Sequence, residues 1–526
     1  MSYSRYLRYT QWYNIFQGLW TEDTGADLPV DHVARPSFSG RLMSAVKGAT
    51  YLAQANNVYG PGVSRILRTR PGFTQVRSTA INAAGVVTGM SHLGEIADEF
   101  ILAVSIAATS HGLYRDSANP PGALSGGTAF TIGVDNLVDS ALFTDGTTPG
   151  AIFVTRQRDL PQFVNSTPTR SDFTIAGVGL TSLRPALMEI FTQRALYGDV
   201  NRDGTVFDDR VYWSDIRDGN LITDHTTQFV SFETGLKDRV RGLCKISDIC
   251  CVFKLHNVFT MVPTPEAFAP FMVQEEPGGQ NRGAVSQQAI LEASHQLFWL
   301  GQSNIHSMNQ RFEFRDWADA IQPTIRGLND ARREFSVAGL DVDRSLLFFT
   351  VSDAGQTTNS LTLALNYKTG AIYLWTLRRN AYAVRDVSGQ LRLIGGGYVG
   401  AFYNELTGTA GDLDDATAVI DADVFTPRYW LGAYGVKKKV IGAFLKVDPV
   451  ASESLTVQYR FDDSTTWRDP DGSPYAIAGT DDDTLFVPFR GVVERVQLRF
   501  RNTTADAVYN VKAVGIPGLP LQFSMS

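Results

Sequence analysis

Seven segments of this chain repeat one pattern: a run of β-branched and aromatic residues, a polar turn, then a second such run. They open with "ILAVSIAATSHGLYRD" at residue 101, "AIFVTRQRDLPQFV" at 151, "RVYWSDIRDGNLITD" at 210, "ICCVFKLHNVFTMV" at 249, "QLFWLGQSNIHSM" at 296, "SLLFFTVSD" at 345 and "LRLIGGGYVGAFYNE" at 391, so successive starts differ by 39 to 59 residues. Several strands in each period with no helix between them is the spacing of propeller blades. A small sheet with two apolar faces cannot bury both alone, whereas blades packed around an axis bury them in one another and leave only short edges. The pattern predicts an all-β fold: a β-propeller of about six to seven blades over residues 76–435.

One stretch departs from this rhythm. In "WADAIQPTIRGLNDARREF", Ile321, Ile325 and Leu328 recur at helical spacing, which predicts a short amphipathic helix or a bent pair around Pro323 between the fifth and sixth blades. After "KKK" at 437–439 the chain alternates strictly in "VIGAFLKVDP", "SLTVQYRFDD", "TLFVPF" and "VERVQLRFRN", predicting a C-terminal β-sandwich over 436–526. Residues 1–75 are weakly patterned and end in "YGPGVSRILRTRPGF", whose Pro and Gly punctuation predicts an extended N-terminal arm or edge strand.

Composition narrows the chemistry. Lys plus Arg is 47 and Asp plus Glu 54, a net charge of -7, which argues against a surface gripping phosphates over its whole extent. Cys244, Cys250 and Cys251 form neither a disulfide framework nor a zinc motif, and are expected as small strand residues in a reducing compartment. No apolar run reaches the roughly 20 residues of a membrane helix, and the N-terminus lacks the apolar core of a leader, so membrane insertion is not expected.

The motifs of serine hydrolases, zincins and P-loop proteins do not occur. "GGGYVG" fits a dinucleotide fingerprint at Gly395, Gly397 and Gly400, but the following "AFYNE" reads as a strand where a helix is required. His32, His92, His111, His225, His256, His295 and His306 include no i, i+4 pair and no consistent acidic neighbour. "RFDDSTTW" keeps Asp462, Thr466 and Trp467 of the sialidase Asp-box, a motif that locks a hairpin. The acidic runs 412–415 and 481–483 read as solvated turns. No catalytic residue and no cofactor are expected.

The one metal candidate is "GDVNRDGTVFDD", which matches the first half of a calcium loop. Asp199, Asn201, Asp203 and the Thr205 carbonyl would be its ligands. The twelfth position is Arg210, and the nearest acid, Asp209, comes one residue early. The competing expectation is a turn whose side chains bond their own backbone.

The order "RTRPGF", "FILAVS…GLYRD", "RVYWSD", "VFKLHNVFTM", "AILEASHQLFWLGQSNIHSM", "SLLFFTV…ALNYKTGAIYLW" and "VERVQLRF…VKAVGI" resembles the β-propeller tail hub, or nozzle, proteins of short-tailed bacteriophages. That resemblance implies a structural protein of the virion tail, assembled in the host cytoplasm as a homohexameric ring below the portal and head-tail adaptor. It implies a tail tube for DNA ejection without sequence-specific binding, and an anchor for tail fibres or spikes. The acidic charge balance suits a conduit, since basic walls would hold the moving duplex. Alternatives are a propeller that binds a receptor or glycan at the tail tip, a sialidase-like enzyme, or a distal-tail component of a long-tailed phage. An arginine cluster with a Tyr and a Glu in one central pocket would favour the glycan readings.

Overall fold

The structure, a computed structural model, describes residues 10–14, 54–56, 58–59, 67–93, 99–107, 109–145, 147–165, 167, 169–266, 269–387, 390–406, 420, 422–426, 428–430, 437–447, 455–470, 475–477, 484–502 and 510–520. His32 and the acidic runs 412–415 and 481–483 lie outside the described residues. Seven antiparallel blades of four strands each are present. Their innermost strands are Gly85–His92, Val138–Thr144, Leu183–Phe191, Gly242–Ile246, Ile290–Ala293, Val337–Asp341 and Ala381–Val387, which adjoin in ring order with the last against the first. The fold is therefore a closed seven-bladed β-propeller.

The ring closes through a strand from far upstream. Blade 7 takes Ala381–Val387, Gln390–Gly396 and Phe402–Glu405 from one stretch and Phe73–Gln75 as its outermost strand. Phe73 lies opposite Glu405 and Gln75 opposite Tyr403. Phe73 packs edge-on against Tyr403 at 4.6 Å, and the Arg379 guanidinium sits 4.4 Å from both ring centres. Arg379 in turn pairs with Glu405, both almost wholly buried. This explains the glycine-rich stretch: a side chain at Gly395 would collide with the Glu405 carboxylate, and one at Gly396 with Val87 of blade 1. Gly395 and Gly396 end a strand and a second strand follows, so no helix N-terminus is offered to a pyrophosphate.

Six of the seven sequence repeats open at a blade's second strand: Phe100–Ile106, Pro149–Thr155, Ile249–Phe253, Gln296–Leu300, Leu346–Val351 and Gln390–Gly396. Second strands are sandwiched between neighbouring blades, and Leu346–Val351 is buried along its whole length. In blade 3 the repeat opens inside the third strand, Thr205–Trp213, because the second strand, Arg194–Arg202, carries Asp199 and Asn201 and reads as polar.

The helical segment resolves into a bent series: a 3-10 turn at Asp319–Ile321, an α-helix at Gln322–Arg326 and a 3-10 turn at Asp330–Phe335. Pro323 sits in the first helical turn, where its missing N–H costs nothing. Ile321, Ile325 and Leu328 are buried in the core they share with blades 5 and 6.

The C-terminal strands form a sandwich. One sheet holds Lys438–Val447, Thr484–Val493 and Asn510–Pro520, extended by Thr10–Asn14, Val58–Tyr59 and Leu67–Thr69. The other holds Leu455–Phe461, Tyr475–Ile477, Arg495–Asn502, Ala422–Phe425 and Tyr429–Trp430. Gln54–Asn56 then bridges Ala422–Phe425 to the outermost strand of blade 6, Ile372–Trp375. Arm strands thus enter both sandwich sheets, and sandwich strands come from both sides of residue 436. One apolar core runs from Phe348 and Trp375 in blade 6 to Val457, Leu498 and Phe500 in the sandwich. Asp462 accepts from the Glu494 and Arg495 amides, both at 2.9 Å, while Trp467 packs on Phe425, so the Asp-box remnant ties its turn to the neighbouring strands Arg495–Asn502 and Ala422–Phe425.

Glu405→Gln should leave Arg379 buried without its counter-charge and lower stability by about 3 to 5 kcal/mol. The drop is read from the urea midpoint. A variant within about 0.5 kcal/mol of the wild type would show that the pair does not hold blade 7.

Candidate functional site

The mouth of the propeller axis carries an arginine cluster. Arg156 follows the second strand of blade 2, Arg239 and Arg241 precede the innermost strand of blade 4, and Glu334 belongs to the 3-10 turn before blade 6. Asn329 caps that turn by accepting from the Ala331 amide, and the turn reaches across the mouth. Arg156 Nη2, Arg239 Nη2 and Arg241 Nη1 lie 2.5, 2.7 and 2.9 Å from Glu334 Oε2. Arg156 Nη1 also donates to the Glu334 carbonyl at 2.7 Å. Two residues earlier, Arg332 forms a two-pronged pair with Asp135 of the segment entering blade 2, at 2.5 and 2.6 Å. The Phe335 ring lies between the Arg156 and Arg332 guanidiniums, 4.2 and 4.1 Å from them. Blades 2 and 6 are not neighbours, so these contacts span the axis.

The electrostatics follow from crowding. Burial opposes ionisation of Glu334, but Arg156, Arg239 and Arg241 outweigh it and hold its carboxyl below the ordinary value. Burial brings Arg156 down to about 10 against the pull of Glu334, with Arg239 and Arg241 adding to the fall. A small cavity opens beside the cluster, lined also by Asp199, Ser286, Gln287 and Gln288. Tyr398 does not line it: its hydroxyl accepts from the Asn359 amide at 2.9 Å and donates to Asn380 at 3.1 Å. Sequence spacing could not assemble this site, because Arg156, Arg239, Arg241 and Glu334 come from three connections up to 178 residues apart.

Further along the axis, successive innermost strands carry Asp139, Glu189 and Glu292, with Lys245 between the last two. Burial lifts the Asp139 carboxyl to about 7, assisted by Glu189, while the Met188 and Ser140 amides counter it. Because this pKa lies above the unfolded value, Asp139 contributes stability that is complete below about pH 4 and is lost as pH rises through about 7. Asp139→Asn should therefore flatten the fall in melting temperature between pH 5 and pH 8. An unchanged pH profile in the variant would show that Asp139 does not hold a proton in the folded state.

The calcium candidates are not gathered round one point. Asp199 is a bulge residue with φ of 50°, buried, with Oδ1 2.5 Å from Arg158 Nη2 and Oδ2 3.7 Å from Arg239. Asp203 and Gly204 are the two turn residues of a hairpin, with φ of 51° and 85°. Asp203 Oδ1 accepts from the Thr181 and Ser182 amides at 2.9 and 2.7 Å. Asn201 and Thr205 lie in the paired strands, and the Asp209 carbonyl accepts from Phe232. Arg210 stacks on Phe207 and Phe229. Among the described residues no group of three or more His, Cys, Asp or Glu is placed to share an ion. Asp203→Ala should cost about 1 to 2 kcal/mol through its orphaned amides, equally with calcium or with chelator. A loss confined to calcium-containing buffer would point to a bound ion.

His306 has an acidic partner after all: its Nδ1 lies 2.8 Å from Asp316 Oδ1, which Arg282 also holds. The two belong to adjacent strands of blade 5, ten residues apart, a separation no local motif reveals. Cys244 and Cys251 face each other across paired strands as free thiols, and burial raises all three cysteine pKa values.

No family model and no curated protein matches the chain. Among solved structures, the Pan2 WD40 domain of Neurospora crassa aligns at 9% identity over 65% of this chain and 96% of its own, with a TM-score of 0.37. Virginiamycin B lyase of Staphylococcus aureus aligns at 8% over 64% and 98%, TM-score 0.38. An exo-β-1,3-galactanase of Phanerochaete chrysosporium aligns at 10% over 85% and 100%, TM-score 0.27. At identities of 10% or less and these TM-scores, the likenesses carry no functional argument. The propeller class itself rests on the blade connectivity described above. Among the described residues no helix is long and apolar enough to cross a membrane.

Proposed function

We propose that this chain is a structural subunit of a bacteriophage tail, a hub or nozzle that closes into a six-fold ring with an adaptor above it and fibres or spikes on its outer face. The resemblance in segment order motivates the reading. The observation that carries it is the joining of arm, propeller and sandwich into one block through the strand Gln54–Asn56 and a continuous core. A ring that holds pressure-driven DNA needs subunits without internal hinges, and such shared sheets and cores supply that stiffness. The propeller's own axis is spanned by the Arg156–Glu334 and Arg332–Asp135 pairs, so a duplex would pass between copies of the chain and not through one of them. This role requires no catalysis.

The second reading, a receptor- or glycan-binding propeller at the tail tip, is favoured by the three arginines and Glu334 in one axial pocket. Electron microscopy of the assembled particle separates the two. The nozzle reading expects six copies around a lumen lined by more Asp and Glu than Lys and Arg. Any other copy number, or a basic lumen, would favour the receptor reading.

A further inference from the structure

Three guanidiniums converge on a single carboxylate oxygen, Glu334 Oε2. Counting Arg158, four guanidiniums face Asp199, Asp238 and Glu334, with Asp208 acting on Asp199 from further off, and the Asp238 contact is long at 3.9 Å from Arg241 Nε. That Nε is buried with no hydrogen-bond partner. The cluster therefore crowds three guanidiniums on one oxygen and leaves Arg241 with an unused N–H donor. It remains in touch with solvent, since the side chains of Arg239 and Glu334 keep 26% and 32% of their exposure. The cavity beside it has polar walls at Ser286, Gln287 and Gln288.

From this geometry we infer that the axial mouth is a binding site for a small oxyanion, a phosphate or carboxylate group, and that Glu334 is its built-in competitor. Planar guanidiniums in partial desolvation recognise such groups by paired N–H donation. Glu334 occupies that position in the unliganded chain. It is delivered by the 3-10 turn Asp330–Phe335, whose backbone is held by Arg156 and Asn359, so only the Glu334 side chain has to swing aside. An incoming oxyanion takes the donors of Arg239 and Arg241, and the Glu334 side chain moves outward. This site does not depend on the tail reading: it sits on the axis of one chain, away from any lumen between copies.

The test is calorimetric titration of the full chain with inorganic phosphate, with glucuronate as the carboxylate arm, at ionic strength held constant with sodium chloride. The Glu334→Gln variant keeps the shape and removes the competing charge, so it should bind at least one probe about tenfold more tightly than the wild type. Arg239→Gln with Arg241→Gln should abolish that binding. The arm that responds identifies the ligand as phosphate- or carboxylate-bearing. Equal affinity of wild type and Glu334→Gln for both probes, or no heat from either, would overturn the proposal. So would undiminished binding by the arginine variant. If the arginine variant does not fold, the comparison of Glu334→Gln with wild type decides alone.

Discussion

Everything in this molecule depends on a three-residue strand, Phe73–Gln75, reaching the last blade and closing the ring. Without it, Phe402–Glu405 would present an unpaired edge, and the sheet that packs blade 7 against blade 1 would lose a quarter of its strands. The chemistry around it matches the demand. Phe73 and Tyr403 flank the Arg379 guanidinium, and Glu405 neutralises it in a space only glycines leave open. A buried pair of this kind adds little beyond an apolar substitute but is costly to break, so it makes the closed arrangement hard to leave. The same upstream segment continues into both sandwich sheets, and the sandwich is thereby tied to the ring at its point of closure.

Axial charge is organised by depth. Arginines at the mouth draw in Glu334, and the attraction exceeds the burial penalty, as the lowered carboxyl value records. Along the innermost strands the balance reverses, and burial outweighs the hydrogen bonds that favour the charged form of Asp139. A propeller that served only as a spacer could fill its axis with apolar side chains. This one places titratable groups there, with an ion-paired turn over them.

The fold was legible in the sequence to the extent that burial writes itself into composition. Doubly buried second strands such as Leu346–Val351 are continuous apolar runs and announced the period, whereas innermost strands such as Leu183–Phe191, with Arg184 and Glu189, did not. The Pro and Gly punctuation ending at Phe73 signalled an extended edge strand, but not its partner, since that pairing is decided about 330 residues later. The loop at 198–209 looked metallic because alternating carboxylates have more than one use. The Asp203-Gly204 dipeptide was the stronger signal, and it makes a hairpin turn whose acid caps a neighbouring connection. The arginine cluster was illegible because no spacing rule joins residues 156, 239, 241 and 334. "NDARREF" did carry basic residues at a helix end, but only the ring's geometry turns that end toward the axis.

Ring closure within one chain is tested most directly by a disulfide across the closing strand, using Thr74→Cys with Asn404→Cys, which lie opposite each other in register. Oxidation followed by mass measurement under denaturing, non-reducing conditions should give a cross-linked monomer in nearly full yield. Disulfide-linked dimers would show that the strand is exchanged between copies, and free thiols that it does not pair there at all. Either result would contradict a propeller closed by its own N-terminal segment.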